Sequence, residues 1–159
     1  MIGIILIGHN CIASEMLAAT EHVVGEQPLM QALDVSSDSD PEAVRKSLLS
    51  KIKACDVGQG VLLLADMFGG TPCNIAMACF EAGSIEVISG FNLPLLIKAA
   101  TLRSSENNLT VLADKVLQSG RQYMCLASHV VGQMKSAPCL PAKEDQAGRD
   151  KVGGDQASG

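Results

Sequence analysis

Ile2-Gly3-Ile4-Ile5-Leu6-Ile7-Gly8-His9 opens the chain with an almost unbroken run of Ile and Leu that stops at a glycine and a histidine. Such a run reads as a strand buried on both faces, the pattern of a parallel sheet covered by helices. The period then changes. From Ser14 to Val24, Met16, Leu17, Ala19 and Val23 fall on one side of a helix, and Gly25 is suited to cap its end. A strand feeding a helix is the repeating unit of an α/β fold.

The same alternation continues along the chain. Leu29 to Val35 is apolar and predicts a second strand, and Ser36 to Asp40 is a polar loop. Asp40-Pro41-Glu42 has the form of an N-cap followed by Pro at the first helical position, opening a helix to about Cys55. Val61 to Ala65 is a third buried strand with Asp66 at its carboxyl end. Met67-Phe68-Gly69-Gly70-Thr71-Pro72 then forms a glycine turn, with Thr71 and Pro72 again reading as N-cap and first helical position. A helix is expected from Cys73 to about Ala82, then a strand over Glu86 to Ser89 and a loop from Gly90 to Pro94. Helices are expected over Leu95–Arg103 and Leu109–Gly120, and an edge-type strand over Tyr123–Ala127. These elements predict a three-layer α/β/α fold with a mostly parallel central sheet of order 2-1-3-4.

Composition bounds the function. The chain has 159 residues with 47% hydrophobic and 18% charged, enough for one domain with a sizeable core. With three Phe, one Tyr and no Trp, that core must be built from Leu, Ile, Val, Met and Ala. A formal charge of −5 and the lack of a Lys/Arg cluster argue against a nucleic-acid partner. No apolar run approaches the roughly 20 residues a membrane-spanning helix needs, and the apolar start lacks the basic residues of a secretory signal. Cys11, Cys55, Cys73, Cys79, Cys125 and Cys139 share no ligand spacing, so they are expected as reduced thiols of a cytoplasmic protein, with no metal site. From about Lys135 the chain turns to Pro, Ala, Gly, Lys, Asp and Gln. Residues 1–128 are therefore expected to form the domain, and 129–159 a disordered tail of balanced charge.

In open α/β sheets, ligands bind beyond the carboxyl ends of the strands, where the winding reverses. In order 2-1-3-4, His9 and Asp66 flank that place. A carboxylate that accepts a hydrogen bond from one imidazole N–H fixes the tautomer and leaves the other nitrogen nucleophilic. Gly69-Gly70-Thr71 before a helix offers backbone N–H groups to an anion, at an end carrying about half a positive charge. Singly these signals are weak, since a histidine near a strand end is more often structural; together they remain compatible with a generic α/β site. His22 lies within a helix and His129 enters the tail, so both rank lower. Walker A, GxGxxG and GxSxG patterns are absent. A receiver domain also ends its third strand in Asp, but it needs an acidic pair where this chain has Gly8-His9.

The residues resemble the mannose-class enzyme IIA domains of the bacterial phosphoenolpyruvate-dependent sugar phosphotransferase system. Ile4 to His9 with Ala13 and Leu17, Gly60 to Asn74, and Val87 to Leu96 are similar to that family's three signatures, in order, over roughly residues 1–128. The resemblance implies that His9 accepts a phosphoryl group from HPr and passes it to an enzyme IIB protein, with Asp66 orienting the ring. Gly69, Gly70, Thr71 and Asn10 would surround the phosphate. It further implies a cytoplasmic homodimer exchanging its last strand, association with a membrane transporter complex, and no metal or nucleotide cofactor. Asn10 departs from the family's usual glycine, although Asn tolerates unusual backbone angles. Two other roles fit the same site: a regulatory module read by its phosphorylation state, and the phosphoryl-donor subunit of a dihydroxyacetone kinase.

Overall fold

Four parallel strands in the order β2-β1-β3-β4 form the sheet in the computed structural model, which describes residues 1–136. They are β1 (Gly3–His9), β2 (Met30–Val35), β3 (Val61–Ala65) and β4 (Ile85–Ser89). Helices α1 (Ile12–Val24), α2 (Pro41–Cys55), α3 (Thr71–Met77), α4 (Leu93–Leu102) and α5 (Leu109–Gln122) make the connections, and α6 spans Ala127–Ser136. Both the α/β class and the predicted strand order are present.

The apolar runs are continuous because the sheet is covered on both sides. Strand side chains alternate between faces. Ile4 and Leu6 join Leu62, Leu64 and Ile88 in a core shared with residues of α1, α4 and α5, while Ile5 and Ile7 join Leu63 and Ala65 against α2 and α3. Ile4, Ile5, Leu6, Ile7, Leu62, Leu63 and Leu64 are all fully buried. Each such side chain contributes about 1.5–3 kcal/mol. The two central strands therefore form a rigid platform.

Their register sets the site. Ile7 on β1 is level with Ala65 on β3, so His9 and Asp66 extend past the same edge of the sheet from neighbouring strands. At the opposite edge lies a feature that the periodicity concealed. Arg103, following α4, is 1% exposed. Its guanidinium donates to the carbonyls of Ile2, Leu29 and Pro28 at 3.2, 3.2 and 2.6 Å and to Gln27 Oε1 at 3.2 Å. Burial lowers its pKa, and the fully buried Nε has no partner among the described residues.

Several boundaries differ from the sequence reading. The glycine turn delivers its helix one residue early: Gly70, extended at φ −80° and ψ 162°, is the N-cap, and Thr71 and Pro72 are the first two helical residues. The Asn74 N–H closes that turn on the Gly70 carbonyl at 2.9 Å. Helix α3 ends at Met77 instead of continuing to Ala82. The edge strand predicted at Tyr123–Ala127 is not formed. Tyr123 is the C-cap of α5, and the Leu126 carbonyl accepts from the N–H groups of His129 and Val130, so local helical bonds replace a ladder. Residues Met1–Met124 make one compact unit; in the segment that follows, 127–136 are helical where a tail was expected from 129. The remainder of that expected tail, 137–159, lies outside the described residues. No described helix is long and apolar enough to cross a membrane.

Candidate functional site

His9 is the last residue of β1, and only Asn10 and Cys11 separate it from α1. The chain turns this sharply because Asn10 adopts a left-handed conformation at φ 48°. Asn reaches that region at lower cost than most residues, which is how the substitution for the family-like glycine is accommodated. Gly8 is required by contact: a Cβ there would collide with Cγ2 of Ile12 and meet the Asp66 side chain at 3.4 Å. The Asn10 N–H is bound to the Val35 carbonyl on β2 at 2.9 Å.

Asp66 holds His9 at two points through one oxygen. Its Oδ2 lies 2.8 Å from the ring Nδ1 and accepts the His9 backbone N–H at 2.8 Å. The other oxygen, Oδ1, accepts the Met67 N–H at 2.8 Å, a contact with no sequence signal. The Asp66 side chain is 8% exposed and that of His9 43%. Burial alone would raise the Asp66 carboxyl. The backbone and ring hydrogen bonds from His9, the Met67 N–H and the charge of a protonated ring outweigh it, and the pKa is held below the usual carboxylate range. An ionised Asp66 places the proton on Nδ1 and the lone pair on Nε2.

The glycine turn lies against that free nitrogen. A Cβ on Gly70 would sit 2.6 Å from His9 Cε1 and 3.1 Å from Nε2, so the imidazole edge packs directly over the Gly70 backbone. Gly69 has φ 83° and needs to be glycine for its backbone alone, since nothing lies within 4 Å of a Cβ there. Thr71 is exposed at the start of α3. His9, Asp66 and Gly70 are thus in contact, with Asn10, Gly69 and Thr71 adjoining them in the chain. Met67 and Phe68, 54% and 75% exposed, follow Asp66 on the same turn. His22, on α1, takes no part in these contacts, and His129 lies on α6, in the segment that follows the compact unit.

The sequence reading passed over Asp34, two residues from the polar loop after β2. Its Oδ1 accepts the Ser14 N–H in the first turn of α1 at 3.1 Å. Among the described residues, no three His, Cys, Asp or Glu side chains gather as metal ligands would.

A family model described as PTS system fructose IIA component matches residues 3–117. The PTS system mannose-specific EIIAB component of Escherichia coli is 27% identical over 143 residues; the match covers 89% of this chain and 44% of that protein, so the chain spans less than half of that relative. The phosphotransferase system component EIIA from Streptococcus agalactiae superposes with a TM-score of 0.74 at 27% identity, covering 81% of this chain and 99% of that one. The mannose/sorbose-specific IIA subunit from Enterococcus faecalis gives 0.71 at 30% identity, with 79% and 93% covered.

Proposed function

The chain belongs to the fructose/mannose IIA family of the phosphotransferase system, and on that premise we propose that it carries a phosphoryl group on Nε2 of His9, taken from HPr and passed to an enzyme IIB protein. One observation carries this reading: Asp66 engages Nδ1 at 2.8 Å, while Nε2 lies against a residue without a side chain on a ring that is 43% exposed.

The transfer follows from that geometry. The Nε2 lone pair attacks phosphorus in line with the N–P bond of the donor's phosphohistidine. That bond breaks as Nε2–P forms, and the donor imidazole leaves with the electron pair. Nδ1 keeps its proton throughout, and the Asp66 carboxylate balances the positive charge that develops on the ring. The absence of a side chain at Gly70 lets the ring edge approach the glycine turn, and the N–H groups of Gly69, Gly70 and Thr71, together with Asn10, are the proposed phosphate contacts. Proximity supplies the remainder, because two docked proteins make the exchange effectively unimolecular. No metal or nucleotide enters. In this reading residues 1–128 are the carrier domain, acting in the cytoplasm as a homodimer beside a membrane transporter.

The test uses purified protein with phosphoenolpyruvate, enzyme I and HPr. Wild-type protein should gain an acid-labile, alkali-stable phosphate, and His9→Ala should gain none. Equal labelling of the two proteins, or no labelling of wild type, would overturn the assignment.

A further inference from the structure

We propose that Asp34 is a positioning residue for His9: a helix cap supplied from the neighbouring strand, which fixes the first turn of α1 and through it the histidine. The inference rests on the carrier reading for its kinetic consequence, but not for the contact itself.

Helix α1 begins without a cap of its own. Cys11 occupies the N-cap position and its side chain makes no capping hydrogen bond. The first N–H groups of a helix need acceptors, and an N-cap Ser, Thr, Asp or Asn commonly supplies one to the third helical residue. Here that residue is Ser14, and the acceptor is Asp34 Oδ1, twenty residues further along the chain. The carboxylate also lies where the helix dipole favours negative charge.

Strand β2 therefore grips the β1–α1 turn at both ends with consecutive residues. The Val35 carbonyl takes the Asn10 N–H at its start, and Asp34 takes the Ser14 N–H beyond it. In register, Asp34 is level with Gly8, and Val35 with His9. Between these two points the chain has no slack: Asn10 is left-handed, Ser14 Oγ donates to the Cys11 carbonyl at 3.1 Å, and Gly8 abuts Ile12. A displacement of the first turn of α1 is passed to His9, whose backbone N–H and ring are bound to Asp66 on the other side. The histidine is thus held from β3 by one carboxylate directly and from β2 by a second through the helix.

A cap that served stability alone would leave the chemistry untouched, and the test separates the two. Asp34→Ala removes the acceptor, whereas Asp34→Asn keeps an oxygen at the same place. Steady-state transfer from phospho-HPr should show Asp34→Ala with kcat lowered about tenfold and KM unchanged, and Asp34→Asn within about twofold of wild type. Hydrogen exchange of the His9 amide, read by NMR on the unphosphorylated proteins, should quicken in Asp34→Ala only. A wild-type kcat and exchange rate in Asp34→Ala would overturn the proposal. So would an Asp34→Asn as impaired as Asp34→Ala, or a change confined to KM. If wild type accepts no phosphoryl group, the carrier reading fails, and the amide exchange alone then decides whether Asp34 holds the turn.

Discussion

Alanine at position 70 would place one methyl group against the reacting ring. Gly70 has φ −80° and ψ 162°, angles that alanine adopts freely, so the backbone itself is not strained. The added Cβ would lie 2.6 Å from His9 Cε1 and 3.1 Å from Nε2, the first about 0.8 Å inside ordinary contact at 3.4 Å. The imidazole cannot yield that distance without lengthening its 2.8 Å bond to Asp66, because the His9 backbone N–H is held by the same oxygen. Displacement of a reacting group by 1 Å costs about 100-fold in rate. Gly70→Ala should therefore lower kcat for phosphoryl transfer by about 30- to 100-fold, with only a small loss of stability, since the clash is relieved at the 43% exposed His9 side chain by giving up its bond to Asp66 and not in the core. Gly69→Ala is the control. It forces a left-handed residue at φ 83°, costing about 1 kcal/mol, yet its Cβ touches nothing. It should lose stability and, because its backbone N–H is retained and its Cβ does not touch the ring, lose less rate than Gly70→Ala. Stopped-flow transfer from phospho-HPr and urea melts measure both quantities. A Gly70→Ala protein that transfers at the wild-type rate would refute the view that ring placement over a bare backbone matters.

Asp66→Asn should slow transfer about 100-fold with the fold retained, because an amide cannot balance the charge developing on the ring; transfer kinetics beside circular dichroism check this. The same substitution gives a pH signature. The folded-state pKa of Asp66 lies below its ordinary value of about 3.9, so its ionised contacts contribute stability that is complete above that value. This stability is lost as pH falls through the lower folded value, so the gap in urea midpoint between wild type and Asp66→Asn should shrink below about pH 4. A gap that stays constant or widens there would contradict the hydrogen-bond pattern. At the far edge of the sheet, Arg103→Met should cost about 3 kcal/mol in a urea melt, since the carbonyls of Ile2, Pro28 and Leu29 lose a buried charged donor. Phosphoryl transfer at a temperature well below melting should be unaffected.

The strands were legible because burial on both faces writes itself as Ile4 to Ile7 and Val61 to Ala65, and few other structures need such runs. Caps were legible where one side chain does the capping locally, as Asp40 does for α2 by accepting from Glu42 and Ala43. The pair His9 and Asp66 followed from strand order, since both end adjacent strands. What escaped was non-local. Asp34 caps a helix twenty residues upstream, and Arg103 reads as a helix terminus until four acceptors from distant segments close around it. The strand expected at Tyr123–Ala127 was inferred from apolar residues alone. A short apolar run does not distinguish a strand from a chain passing between two helices, and Met124 and Leu126 are 71% and 61% exposed.

The division of exposure within the pair suits a group that changes hands between proteins. A nucleophile sealed in a pocket could not meet a histidine on another protein, so Nε2 has to face outward. A nucleophile in bulk water would rotate freely and lose its tautomeric preference. Placing the open group at the end of one strand and the recessed carboxylate at the end of its neighbour meets both demands. The ring is reachable at 43% exposure, while Asp66 at 8% keeps its two bonds to His9 partly shielded from competing water. Only adjacent parallel strands bring these two residues to one edge in register, with Ile7 level with Ala65. The reversal of winding between β1 and β3 sends α1 and α3 to opposite faces, so the crevice between the two strand ends holds the ring and the glycine turn that packs against it.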